Sequence, residues 1–160
     1  MKTRILFILL SLFIYGIALS LPALAFRIVD IQFGGVNNKE EIATLTNTIS
    51  TMTGAELTLV GFFGLLFLQI PPSLGWLANP GYWVSCAFFF RQQYQFSTLA
   101  GLISILFGFL GTISAFWVRL PDGSNPFKKL ALSELLPGFW LWLAAPALIA
   151  LVSFFFKLRK

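Results

Sequence analysis

Between Leu57 and Phe90 the chain carries no charged side chain, and between Gln92 and Val118 it carries none again, so the middle of the sequence has almost nothing with which to face water. Hydrocarbon cannot hydrogen-bond a backbone, which leaves helices and closed barrels as the structures able to span it. A helix needs about 20 apolar residues to cross about 30 Å at 1.5 Å per residue, and residues 5–25, 96–118 and 135–156 have that length. With 58% hydrophobic residues and a mean hydropathy of +0.84, the chain holds more apolar surface than one small soluble core could hide. The expected fold is therefore all-α: a single membrane domain over residues 1–160, with a bundle of four transmembrane helices. The fourth span falls at about 79–94. An additional broken interfacial or re-entrant helix occupies about 57–72, on the outer side.

Histidine is absent and Cys86 is the single cysteine, so the commonest metal ligand, the commonest general base and any intrachain disulfide are missing. No metal and no cofactor is expected. The net charge of +5 does not point to nucleic acid, because the bases lie scattered at the ends of apolar runs rather than on one polar face. They read as topology signals. Lys2, Arg4, Arg91, Lys157, Arg159 and Lys160 fall in short segments without an acid, whereas all six acids fall in the opposite loops with Arg27, Lys39, Arg119, Lys128 and Lys129. The positive-inside rule then places both termini in the cytoplasm, with the chain multi-pass in its membrane. The five tryptophans agree, since each lies near the outer end of its helix. A competing reading of the N-terminus remains: Lys2, Arg4, the apolar run and Ala23-Leu24-Ala25 also resemble a signal peptide cleaved before Phe26.

In the outer loop, about 26–56, Gly35 and Asn37 mark a turn region. Asn38 and Glu41 read as a capping box, and Ile42, Leu45, Ile49 and Met52 recur at helical spacing up to Gly54. A short amphipathic helix is expected there, the alternative being a threonine-rich loop. Pro71-Pro72 should break the next helix. Asn79-Pro80 reads as N-cap and first position of a short span, the alternative being one longer helix kinked at Pro80. Ser97, Gly101, Ser104, Gly108, Gly111 and Ala115 alternate spacings of four and three, a stripe of small residues suited to close helix packing. Pro137 suits a helix start, and Pro146 falls within the last span.

The polar residues near the outer boundary suggest a pocket formed by Glu56, Asn79 and Glu134 and walled by Trp76, Trp83, Trp140 and Trp142. The competing reading for the carboxylates is plain attraction to helix N-termini. No partner for acid/base or nucleophilic catalysis accompanies them, so an enzyme is not expected.

The segments GAELTLVGFFG, GWLANP and PGFWLWLAAP together resemble a family of small polytopic bacterial inner-membrane proteins marked by a Trp-Leu-Ala-Asn-Pro motif, here Trp76 to Pro80. The resemblance covers roughly residues 54–145, implies a polytopic membrane protein and brings no activity with it. The threonine-rich loop before Gly54 departs from the pattern. Two functions follow as expectations. One is an accessory or assembly protein acting through helix packing, with the bilayer and either itself or another membrane protein as partner. The other is a module that binds or passes a small molecule, lipid or ion through the outer pocket.

Overall fold

The computed structural model describes residues 2–33, 41–66, 72–122 and 125–159. In chain order the elements are α1 (Lys2–Ser20), β1 (Pro22–Phe33), β2 (Glu41–Thr53), α2 (Gly54–Leu66), a 3-10 helix (Pro72–Leu77), α3 (Ala78–Phe90), α4 (Tyr94–Ser114), β3 (Leu120–Asp122), β4 (Asn125–Leu135) and α5 (Pro137–Leu158). Three helices, α1, α4 and α5, are long and apolar enough to cross a membrane. Their outward faces carry exposed Leu6, Leu9, Phe13, Leu102, Leu106, Leu110, Leu151 and Phe155. So much exposed apolar surface suits lipid rather than water.

The molecule is not all-α. Four antiparallel strands form a sheet in the order β2-β1-β4-β3, and the amphipathic helix expected within 26–56 is replaced by β1 and β2. Ile42, Leu45, Ile49 and Met52 do lie at helical spacing, but the same stretch alternates Thr44, Thr46 and Thr48 with Leu45, Asn47 and Ile49. β-branched side chains favour the extended backbone, and pairing with β1 from Phe33↔Glu41 to Pro22↔Thr53 settles the choice. Gly35, Asn37 and Asn38, and with Asn38 the expected cap, lie outside the described residues, as do Gln69 and Pro71. The capping box that does form is one element later. Thr53 N–H donates to Glu56 Oε2 (2.7 Å), and Glu56 N–H donates to Thr53 Oγ1 (3.3 Å), starting α2.

The first and last spans also change bounds. α1 stops at Ser20 because Pro22 cannot continue it, and Ala23, Leu24, Ala25 and Phe26 instead become the buried start of β1. There Leu24 and Ala25 pair with Leu135 and Glu134 of β4 on one side, and with Met52 and Thr51 of β2 on the other. Leu136 N–H donates to the Ala23 carbonyl (2.9 Å), so α5 leaves the sheet at Pro137 rather than extending back to residue 135.

Packing centres on α4. All six residues of the small stripe are buried, and they face α3, the 3-10 helix and α5. A methyl group at Gly101 would meet Ala150 Cβ at 2.9 Å and Ser85 Oγ at 3.1 Å, and one at Gly108 would meet Leu143 Cδ2 at 2.9 Å and Ala78 Cβ at 3.1 Å. At Gly111 it would collide with the backbone of Gly75. Ser104 Oγ donates to the Ala78 carbonyl (2.6 Å), and Ser97 Oγ donates to the Ser85 carbonyl (2.8 Å) and meets Ser153 Oγ at 2.7 Å. Rings of Phe89, Tyr94 and Phe156 close the opposite end of the bundle, where Arg4 Nη1 donates to the Phe90 carbonyl (3.2 Å). Phe7 against Phe156 (6.5 Å) puts both ends of the chain there, away from the sheet.

Because the stripe faces helices of its own chain, Gly108→Leu should cost about 1–3 kcal/mol of overpacking, read as a lowered Tm in detergent. Phe109 is exposed on the same helix. Phe109→Leu should leave Tm nearly unchanged, and equal effects at the two sites would show that the stripe is not the packing face.

Candidate functional site

The sheet meets the bundle where α1 ends, α4 ends and α5 begins, and Asn79 is buried just beneath that junction. Its Oδ1 accepts from Tyr15 Oη (2.9 Å) and from Trp142 Nε1 (2.9 Å). An indole N–H can only donate, so the atom facing it must be the amide oxygen. One turn earlier on α1, Ser11 Oγ donates to the Ala145 carbonyl (2.9 Å) and contacts Tyr82 Oη (2.8 Å), with the Tyr15 and Tyr82 rings stacked at 5.0 Å. These bonds tie α1, α3 and α5 together.

The Asn79 side chain is not the helix cap that the sequence suggests. Leu77 already has α-helical dihedrals (φ −61°, ψ −15°), so the 3-10 helix runs into α3 without the extended residue that an N-cap requires. Pro80 sits in the first turn of α3, where a missing N–H leaves at most the Trp76 carbonyl to be satisfied otherwise.

Beside Asn79 lies a cavity of about 110 Å³, walled by β1, α2, the 3-10 helix and the adjoining ends of α4 and α5. Phe26, Gly61, Trp76, Asn79, Thr112 and Trp142 are among its lining residues, and among the described residues no Asp, Glu, Lys or Arg is. Of the seven residues expected to form an outer pocket, Trp76, Asn79 and Trp142 line this cavity. Four do not. Trp83 is half exposed and packs on Tyr15 (5.8 Å) and Tyr82 (5.4 Å), while Trp140 is half exposed with its edge on Phe139 (5.2 Å). Glu134 stands exposed on β4 opposite Ala25, and not at a helix start. Glu56 is exposed and bends back to its own cap. The Thr53 N–H and then the Thr53 hydroxyl (3.0 Å) hold its carboxyl below the usual glutamate range.

The carboxylates thus do not line the cavity, and the polar partners around Asn79 are instead Tyr15, Ser11 and Tyr82, in the helix interface beside it. Sequence reasoning passed over these residues. A signal was available, because Ser11 and Tyr15 are one helical turn apart in an otherwise apolar run and so share a face.

If Asn79 serves as acceptor for two buried donors, Asn79→Ala strands both at about 1–3 kcal/mol each. Asn79→Ser, which would be mild at an N-cap, should be nearly as damaging because its short side chain cannot reach Tyr15 and Trp142 together. Pro80→Ala should change little. Thermal unfolding of the three variants in one detergent checks the order, and a harmless Asn79→Ser would restore the capping role.

Comparison with known proteins gave no match to a family model, to a curated protein or to a solved structure.

Proposed function

We propose that this chain is a non-catalytic integral protein of a bacterial inner membrane that binds a small apolar or amphiphilic molecule in the cavity between its sheet and its bundle. The observation that carries the proposal is the cavity itself, apolar in lining and bordered by an amide that two side chains lock in place. A mostly apolar hollow with a few fixed polar groups is the usual construction of a small-molecule site. Among the described residues the lining offers no carboxylate, lysine, cysteine or histidine to move a proton, which supports binding over catalysis. It equally offers no charge for an ion, which weighs against the permeation form of the same idea.

Helix packing with another protein loses its expected surface, because the small stripe is occupied within the chain. One observation still favours an accessory role. Strand β2 is a 13-residue sheet edge with no proline and a single charged residue, Glu41, whereas the other edge, β3, is only three residues and contains Pro121 and Asp122. Long edges without such protection are templates for a partner's strand.

For the topology, we place the sheet outside and both termini in the cytoplasm. Lys2, Arg4, Arg91, Lys157 and Arg159 belong to helix ends and a turn remote from the sheet, as the positive-inside rule asks of a cytoplasmic face. The 3-10 helix and α3 together rise about 31 Å at about 2.0 and 1.5 Å per residue, enough to make a composite fourth crossing. Retention of α1 is supported by its Ser11 and Tyr15, which bond to α3 and α5, and by the burial of Ala23 to Phe26 within the sheet.

A reporter active only in the cytoplasm should work when fused after Lys160 and fail when inserted near Asn125; the reverse would overturn the orientation. Native mass spectrometry of protein extracted in mild detergent should show a small adduct at one per chain. A clean apo mass after extraction and after incubation with bilayer lipids would sink the binding proposal.

A further inference from the structure

Resting on that binding proposal, we infer the class of ligand: a neutral ester-linked bilayer lipid, whose ester carbonyl accepts a hydrogen bond from the Trp76 indole while the adjoining carbons enter the cavity. The first observation is an unmet donor. Trp76 Nε1 is buried without a hydrogen-bond partner, and it is the one buried side-chain polar atom among the described residues in that condition. The other buried polar side chains of the bundle are bonded: Ser11, Ser85, Ser97, Ser104, Ser153 and Asn79 all have partners, and the Trp142 indole has found Asn79. In a protein that satisfies its polar groups this thoroughly, the exception calls for an acceptor from outside. Trp76 is also a lining residue of the cavity.

Size and charge narrow the ligand. A cavity of about 150 Å³ holds one benzene, so about 110 Å³ takes only a fragment of a few carbons, and the rest of the molecule must remain outside. An anionic acceptor is disfavoured because no Lys or Arg among the described residues lines the site, and an unpaired buried charge is far costlier than a neutral carbonyl. A phosphate or a fatty-acid carboxylate is thereby excluded from the buried position.

Depth identifies the source. The lining includes Ala23 just past the end of α1, Thr112 and Ala115 at the end of α4, and Phe139 and Trp142 in the first turns of α5. That is the level at which spanning helices leave hydrocarbon, where lipid esters also lie and where tryptophan is favoured. Helix α2 separates Trp76 from the surroundings. Its Gly61 packs on the indole, where a methyl group would meet Trp76 Cβ at 3.2 Å and Cδ1 at 3.4 Å, the half-exposed Phe62 ring lies beside the indole at 5.2 Å, and Leu59, Phe63 and Leu66 are exposed on its other sides. An apolar helix exposed in this way has lipid as its neighbour, so the ligand is already at the wall. The indole N–H is sealed while α2 is in place, and a carbonyl reaches it as α2 shifts.

The test uses the full chain in detergent, titrated with dioctanoylglycerol or with its dialkyl ether analogue, which lacks both carbonyls, and read by native mass spectrometry. One neutral hydrogen bond is worth about 0.5–1.5 kcal/mol, so the diester should bind about 2–10-fold tighter than the ether. Trp76→Phe should erase that preference, so that diester and ether bind alike. Octanoate should not compete. Should Trp76→Phe fail to fold, the wild type with ¹⁵N-labelled indoles gives the second readout: a tryptophan N–H resonance should move downfield with the diester and not with the ether. Equal binding of diester and ether, or an ester preference that survives Trp76→Phe, overturns the carbonyl contact and leaves the cavity as a binding site. Binding of neither compound overturns both.

Discussion

The structure depends on how closely one helix lets its neighbours approach. Along α4 the residues Ser97, Gly101, Ser104, Gly108, Gly111 and Ala115 remove side-chain bulk from a whole face, and Gly111 lies against the backbone of Gly75 with no room for a methyl group on Gly111. Lipid supplies no hydrophobic force to press helices together, so close contact and interhelical hydrogen bonds must do so. Here both occur on one face, since the serines between the glycines donate to carbonyls of α3. This approach holds the 3-10 helix against the end of α4, and the 3-10 helix in turn carries Trp76 and delivers Asn79 to the bundle interior.

Once Asn79 is inside, its amide has to be satisfied by protein, and the two donors come from helices at opposite ends of the sequence. Tyr15 belongs to α1 and Trp142 to α5, so a single oxygen couples the first helix, the middle of the chain and the last helix. Ser11, Tyr82 and the Ala145 carbonyl repeat the arrangement one turn deeper. Low dielectric strengthens such bonds and equally raises the cost of a missing one. The unpaired Trp76 indole is therefore informative where an unpaired group on a wet surface would not be.

How much of this could be read in the sequence follows the physics of each signal. The three long helices were legible because the length of an apolar run is a one-dimensional property, and the small stripe because its period belongs to one helix. The sheet was not. Its strands pair residues far apart in the chain, Ala25 with both Thr51 and Glu134, and the segment from Ile42 to Met52 satisfies a helical period and a strand alternation at once. Tertiary pairing decides between two local patterns of similar strength, and no pairing is visible from one segment. Trp76, Asn79 and Trp142 line one cavity, yet the local pattern at Asn79 reads as a cap, whereas its partners are more than sixty residues away on either side. Glu56 and Glu134 were misplaced for the converse reason. Both were drawn toward a distant pocket when short-range structure, a capping box and a strand, already accounts for them.

The sheet also explains why the cavity exists. A bundle alone would close over its end with the loops that join its helices, but here β1 and β4 join α1 to α5 directly, and their hydrogen bonds fix the distance between those two helix ends. Gly138 lies against the Leu21 and Pro22 carbonyls, and Gly54 against the end of α1, where a methyl group would meet the Ala18 carbonyl oxygen at 2.5 Å. The rigid sheet thus fixes where α2 begins, while the Thr53 and Glu56 box sets the direction in which it leaves. Beyond that anchored first turn, α2 meets the 3-10 helix through Gly61, which lies on the Trp76 indole, and through Phe62, whose ring packs on the same indole at 5.2 Å. That wall is fixed at its base by the capping box and farther along by the Phe62 ring on Trp76, whereas β1 is held by its ladders and the bundle walls by buried hydrogen bonds. Because Gly61 carries no side chain, α2 closes directly over Trp76, and the apolar lining of the cavity is completed by a helix whose first turn the sheet positions.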